Sequence, residues 1–216
     1  MVNRLTVGEL ATNCWIVPLP RAGGGCVLVD PGGDAERITA RLKKLLLAPA
    51  YIVLTHAHFD HIAALPDMAS AYPDAKIAIH RAEAARLGPG SREVHRRDFA
   101  AMGAASFIDA FFDGYAGRGL AMPEASVLLD EGDGLGPFTA LHLPGHSPGS
   151  IGLFREDEKL LLSGDTLFRA GVGRTDLPGG DQRSLDSSLE RLFKMDADIR
   201  VYPGHGEATT IGRERS

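Results

Sequence analysis

Short aliphatic and β-branched runs, bounded by glycine, proline and polar clusters, recur along the whole chain. Six have the length and residue type of buried strands: Cys26 to Val29, Tyr51 to Leu54, Lys76 to Ile79, Ala140 to Leu143, Leu160 to Leu162 and Arg200 to Tyr202. Two segments between them carry helical period. In the first, Ile38, Leu42, Leu45 and Leu46 share one face, with Asp34 where an N-cap belongs and Pro49 where the helix should stop. In the second, Leu185, Leu189, Leu192 and Phe193 repeat that spacing behind Ser184. Between Ser91 and Glu124, Phe107, Ile108, Phe111, Phe112 and Tyr115 are again helically spaced, although Gly103, Gly114, Gly117 and Gly119 interrupt the region. The period there predicts a helix covering the core; the alternatives are a mobile lid or a dimer contact. Strands interleaved with helices predict an α/β layer fold. No linker divides the chain, so residues 1–216 are read as one domain.

The strongest local signal is Thr55-His56-Ala57-His58-Phe59-Asp60-His61, directly after the strand Tyr51-Ile52-Val53-Leu54. Imidazole and carboxylate are ligands for zinc, iron and manganese. Three of the chain's eight histidines lie within six residues here, which argues against an incidental loop. If extended geometry continues past Thr55, His56 and His58 point the same way and can clasp one ion, while Asp60 and His61, at a turn or helix start, can face a second. Three later candidates follow apolar strands, each immediately preceded by glycine: His146 in Pro144-Gly145-His146, Asp165 in Ser163-Gly164-Asp165 and His205 in Pro203-Gly204-His205. Glycine there lets the backbone turn and approach an ion closely. His80, His95 and His142 lack that setting and read as surface or structural groups.

Charge and composition narrow the partners. The net charge of −5, with acids and bases interspersed, argues against nucleic acid. No apolar run approaches the roughly 20 residues of a membrane span, and Met1 to Thr6 lacks a secretory pattern, so a cytoplasmic, membrane-free protein is expected. Two cysteines, Cys14 and Cys26, are too few for a disulfide framework and are expected as free, buried thiols. Gly145-His146-Ser147-Pro148-Gly149 matches the nucleophile elbow of serine hydrolases, but that motif needs a following helix. Here a turn and another strand, Ser150 to Phe154, follow instead.

The His-x-His-x-Asp-His run with the Gly-His, Ser-Gly-Asp and Pro-Gly-His-Gly segments, in this order and spacing, resembles the metallo-beta-lactamase superfamily over nearly the whole chain. The resemblance implies a four-layer αββα sandwich with two metals at one edge. It implies that His56, His58 and His146 hold the first metal, that Asp60, His61 and His205 hold the second, and that Asp165 bridges them. Within the superfamily, Ser163-Gly164-Asp165-Thr166-Leu167-Phe168, Gly171 to Asp181, Thr12-Asn13-Cys14-Trp15 and Thr209 to Arg213 are most similar to glyoxalase II, the hydroxyacylglutathione hydrolases, in their bacterial short forms. An antibiotic-destroying lactamase is not expected, since those enzymes generally carry a non-bridging residue where Asp165 stands.

That likeness implies hydrolysis of a small-molecule thioester such as S-lactoylglutathione. Water shared by two divalent ions, zinc foremost and iron or manganese otherwise, loses its proton near neutral pH and attacks the carbonyl. Asp60 and Asp165 are then the catalytic carboxylates. Arg174, on the glycine-rich loop after Asp165, is the candidate to clamp a substrate carboxylate. The chain ends soon after His205, without the C-terminal helical domain that grips glutathione in long forms, so the segment from Ser91 to Glu124 is a candidate for another pocket wall. Alternatives are a mononuclear-iron persulfide dioxygenase, a metal-stabilised accessory module, and a lactonase or phosphodiesterase.

Overall fold

The computed structural model describes residues 2–20 and 25–215. Two six-stranded sheets form its centre. The first runs, in spatial order, β1 (Asn3–Val7), β2 (Thr12–Pro18), β3 (Gly25–Val29), β4 (Ala48–Val53), β5 (Lys76–His80) and β6 (Val127–Leu129). The first three strands are antiparallel and β3 to β6 are parallel. The second sheet contains β7 (Gly134–Leu135), β8 (Phe138–His142), β9 (Ile151–Arg155), β10 (Leu160–Gly164), β13 (Arg200–Pro203) and β14 (Thr209–Thr210), in the order β14-β13-β10-β9-β8-β7. A small ribbon, β11 (Leu167–Phe168) with β12 (Gly171–Val172), stands apart.

Strand alternation sends side chains into three cores and so builds four layers. Trp15 and Val17 of β2, Val27 and Val29 of β3, and Leu160 and Leu162 of β10 meet between the sheets. Cys14, Ile16, Cys26 and Leu28 point the other way, onto α1 (Ala35–Leu45) and α3 (Leu65–Ala71), through Ile38, Leu42, Leu65 and Met68. Leu161 and Val201 likewise pack on α6 (Gln182–Phe193) and α7 (Ile211–Glu214) through Leu192 and Ile211. This is the αββα sandwich. Cys14 and Cys26 are free and buried. Burial raises both thiols, Cys26 to about 12, which keeps them protonated.

Several helix ends differ from the reading of the sequence. Asp34 stands at the N-cap of α1 but in a left-handed conformation, and its carboxylate accepts from the Gly8 amide and Arg37 instead of capping the helix. Leu46, not Pro49, stops α1: it turns left-handed, its N–H reaching the Lys43 carbonyl, and its side chain leaves the buried face for solvent. Pro49 lies inside β4. It pairs with Cys26 of β3 where that register shifts, an irregularity of the kind that accepts proline in a sheet, and β5 pairs with β4 only from Tyr51 onward. Helix α6 begins at Asp181, whose carboxylate accepts from the Ser184 amide; Ser184 sits in the first turn.

Two helices and a short 3-10 turn (Ala100–Met102) occupy the region from Ser91: α4 (Ser91–Asp98) and α5 (Ala105–Ala116), separated by left-handed Gly103. Ile108, Phe112 and Tyr115 cover the first core as the period predicts. Phe107 and Phe111 belong to the other face of the same helix and line an open cavity. His95 is buried on α4 with Nε2 3.1 Å from the Arg86 carbonyl, and His80 stacks on His142 with ring centroids 4.1 Å apart. All three therefore read as structural.

Candidate metal centre

The seven predicted ligands come from four loops and one short helix at the edge where the two sheets meet. The chain leaves β4 at Val53 and runs extended through Thr55, which hydrogen-bonds the second sheet by accepting from the Ile151 amide at 2.9 Å. His56 and His58 follow. Asp60 and His61 occupy the four-residue helix α2 (Phe59–Ile62), so one peptide segment presents ligands in two directions. His146 follows β8, Asp165 follows β10 and His205 follows β13. Gly204 makes the last approach possible: a side-chain carbon there would stand 2.0 Å from Asp165 Oδ1.

His146 Nε2 lies 3.2 Å from His56 Nε2 and 2.9 Å from His58 Nδ1, three imidazole nitrogens around one space. Asp60 Oδ2 lies 3.2 Å from His205 Nε2 and 3.4 Å from His61 Nε2, forming a second group. Asp165 spans the two: Oδ1 is 3.5 Å from His61 Nε2, and Oδ2 is 3.4 Å from His205 Nε2 and 3.7 Å from His146 Nε2. Within each of the sets His56/His58/His146, His56/His61/Asp165 and Asp60/His61/His205, the candidate ligand atoms lie within 4.8 Å of one another. His61 Nε2 and Asp165 Oδ1 are buried without any hydrogen-bond partner. Buried polar atoms are rarely left so, and a shared cation would satisfy both. The donor set fits a pair of divalent cations.

Partners behind the imidazoles fix which nitrogen faces inward. Nδ1–H of His146 donates to the Arg174 carbonyl at 2.7 Å, and that of His205 to the Leu10 carbonyl at 3.1 Å. Asp30, at the end of β3, accepts from the Thr55 amide, the Thr55 hydroxyl and, at 2.9 Å, from His61 Nδ1. The Thr55 oxygen in turn accepts from His56 Nδ1 at 3.1 Å. Burial, reinforced by neighbouring imidazoles, holds His56 far below the ordinary histidine value and His58 down at about 3, so both present lone pairs. At His61 burial opposes charge, but the carboxylates of Asp165, Asp30 and Asp60 outweigh it and raise the imidazole well above its usual value. Burial likewise works to raise Asp60 and Asp165, yet the surrounding imidazoles keep both below the usual carboxylate range. Three carboxylates around one imidazole leave negative charge that a cation would balance.

The family model described as the metallo-beta-lactamase superfamily matches residues 7–205. The chain belongs to this superfamily. Hydroxyacylglutathione hydrolase GloC of Haemophilus influenzae is 36% identical over 196 residues, covering 87% of this chain and 83% of that one. Among solved structures, BLEG-1 B3 metallo-beta-lactamase is 33% identical with a TM-score of 0.80, covering 99% of this chain and 96% of its own. TTHA1623 in a di-iron-bound form is 35% identical with a TM-score of 0.76, covering 98% and 96%. Membership supports an enzyme of the metallo-hydrolase superfamily, and the four layers seen here are the fold of that superfamily.

Against this superfamily background, several residues to which the sequence assigned no individual role hold the site together. Thr12 donates its hydroxyl to Asp60 Oδ2 at 2.9 Å. Asn13 Nδ2 and Trp15 Nε1 both donate to the Pro203 carbonyl at 3.0 Å, fastening the loop that carries His205. Buried Glu83 accepts from the Gly149 amide at 3.0 Å, three residues beyond His146. Asp30 had a partial signal, an acid directly after an aliphatic strand and before Pro31-Gly32-Gly33, but without the preceding glycine that marked Asp165. Thr12 and Glu83 had none, because nothing local says which distant loop they meet. Ser147 is buried with its hydroxyl 2.9 Å from that of Ser150, away from any nucleophilic role.

The metal cluster opens into a cavity of about 820 Å³, with Asp60, Asp165, His58, His146 and His205 in its floor. Phe168 and Leu177 contribute to the wall. Arg174 lines the mouth, but its Nε and Nη2 each lie 2.6 Å from the Asp176 carboxylate, so the predicted clamp is occupied by its neighbour. Among the described residues, no helix is long and apolar enough to cross a membrane.

Proposed function

We propose that the protein hydrolyses a small-molecule thioester by chemistry of the glyoxalase II type, with two divalent cations as cofactors. The observation that carries this reading is Asp165, whose two oxygens reach both nitrogen clusters at once. His56, His58 and His146 would hold one cation, Asp60, His61 and His205 the other, with Asp165 shared. When bound, such a pair lowers the pKa of a shared water toward neutrality and polarises the carbonyl it attacks. Zinc or iron both suit imidazole and carboxylate donors.

The chain's own residues then do the positioning. Asp60 and Asp165 are the carboxylates in the cavity floor, and so the groups that accept hydrogen bonds from the attacking water. The hydrogen bonds behind His61, His146 and His205 keep each ring in one tautomer. The phenylalanine-rich wall limits solvent around the reacting carbonyl. The kinship with GloC supports a thioester as the substrate class; the complete second triad supports two cations over one.

The test is metal analysis of the purified chain, followed by assays of the same preparation on S-lactoylglutathione, a lactone, a β-lactam and glutathione persulfide. Two metals per chain with thioester hydrolysis is the expected result. One iron per chain with oxygen consumed on the persulfide would replace the hydrolase by a dioxygenase.

A further inference from the structure

The wall of the cavity carries a chemistry that the metal ligands do not explain. Among the described residues, six large apolar side chains are exposed, and three of them, Leu10 (67%), Phe107 (57%) and Val172 (44%), line this one cavity. Behind them the Phe59 ring stands 5.2 Å from Phe107, 4.8 Å from Phe111 and 5.5 Å from Phe99, a continuous aromatic surface beside the metal cluster. Phe59 lies between the ligands His58 and Asp60 in sequence, so this surface begins at the reacting centre. Exposed apolar groups gathered in one concave place mark a binding site.

Charge selects the occupant. Among the described residues lining the cavity, Arg174 is the only lysine or arginine, and Asp176 already engages it through two hydrogen bonds. Glu9 adds a carboxylate to the same lining. A tripeptide thiol such as glutathione brings two carboxylates and an ammonium, and the wall supplies no second lysine or arginine to receive them. We infer that the aromatic wall binds an uncharged, apolar arm of the substrate, an alkyl or aryl group on the acyl or the thiol side of the thioester. The inference rests on the thioester reading above and narrows its substrate class.

Hexyl and ethyl thioethers of N-acetylcysteamine are uncharged and resist hydrolysis, so they report binding alone. They are titrated calorimetrically into the metal-loaded full chain, alongside S-hexylglutathione. Each fully buried methylene strengthens binding about fourfold, so four more, half buried, give roughly tenfold or more. The hexyl thioether should therefore bind at least about tenfold tighter than the ethyl one, and no weaker than S-hexylglutathione. Phe107→Ser, chosen because an exposed ring contributes little to folding, should narrow the hexyl-to-ethyl ratio by about threefold or more. A ratio near one, or S-hexylglutathione binding about tenfold tighter than its uncharged counterpart, overturns the inference. So does a dimer, detected by sedimentation, that Phe107→Ser dissociates without changing the ratio, since a second copy would then cover the wall.

Comparing kcat/KM for the hexanoyl thioester of N-acetylcysteamine with that for the acetyl thioester of hexanethiol assigns the arm to one side, and either assignment supports the inference. Alkyl selectivity without any thioester hydrolysis would sink the hydrolase reading and leave the apolar arm standing. Turnover of S-lactoylglutathione with a flat alkyl series would do the reverse.

Discussion

Asp165 reaches His61, His205 and His146 at 3.5, 3.4 and 3.7 Å, and no other side chain among the described residues touches both clusters through two separate oxygens. Asp165→Ala should lower bound metal and turnover together; full occupancy by metal analysis with normal rate would remove its bridging role. Asp30 acts one step back. It accepts three hydrogen bonds, one from His61, and such supporting groups typically account for 10–100-fold in metal affinity. Asp30→Ala should weaken metal binding by about that range, measured by chelator competition, and unchanged affinity would make Asp30 a purely structural carboxylate. Arg174 is the residue whose role depends on its partner. If a substrate carboxylate displaces Asp176, Arg174→Ala raises KM for an anionic thioester severalfold while kcat holds; identical kinetics would leave Arg174 with Asp176 alone.

At the scale of elements, α5 divides its faces between core and cavity. One face buries Ile108, Phe112 and Tyr115, and the other offers Phe107 and Phe111 to the cavity. His95 anchors α4 from inside, and burial depresses its imidazole to about 4 from an ordinary value near 6.5. Between those values the unfolded chain binds the extra proton and the folded one does not, so stability rises with pH across this window and is lost as pH falls through it. The shift corresponds to a loss of about 2–3 kcal/mol by pH 4. In metal-free protein, His95→Gln should therefore lose less stability than wild type between pH 6.5 and 4, followed by denaturant unfolding. Parallel losses in the two proteins would rule out His95 as the source.

For the molecule as a whole, the candidate ligands come from loops of both sheets, so bound metal would link those loops and couple to folding. A ligand present at a hundred times its Kd adds about 2.7 kcal/mol to stability. For a chain of this size that is about 5–10 °C in Tm. Chelation should lower Tm by about that much, reversed by added zinc; a Tm indifferent to metal would mean the loops are set by the sheets alone. Much of this was legible beforehand. The sequence names as candidate ligands the seven side chains gathered at one edge, because histidines and aspartates placed just after apolar strands stand out locally, and the strands themselves follow from runs such as Leu160 to Leu162. Helix ends were less legible. Pro49 is a stop signal by residue type, yet it sits in β4, paired with Cys26 of β3 where the register shifts, and Asp34 bonds Gly8 from another strand's loop. The sequence by itself determined the strands, the helical faces and which side chains are candidates to hold metal, since these depend on residue type and periodicity over a few positions. Only the tertiary structure decided that Asp165 faces two clusters, that Asp30 and Glu83 stand behind the ligand loops, that Asp176 holds Arg174, and that five phenylalanines, Phe59, Phe99, Phe107, Phe111 and Phe168, line one cavity. Those are contacts between segments far apart in the chain, set by how the sheets and helices pack and by no local pattern.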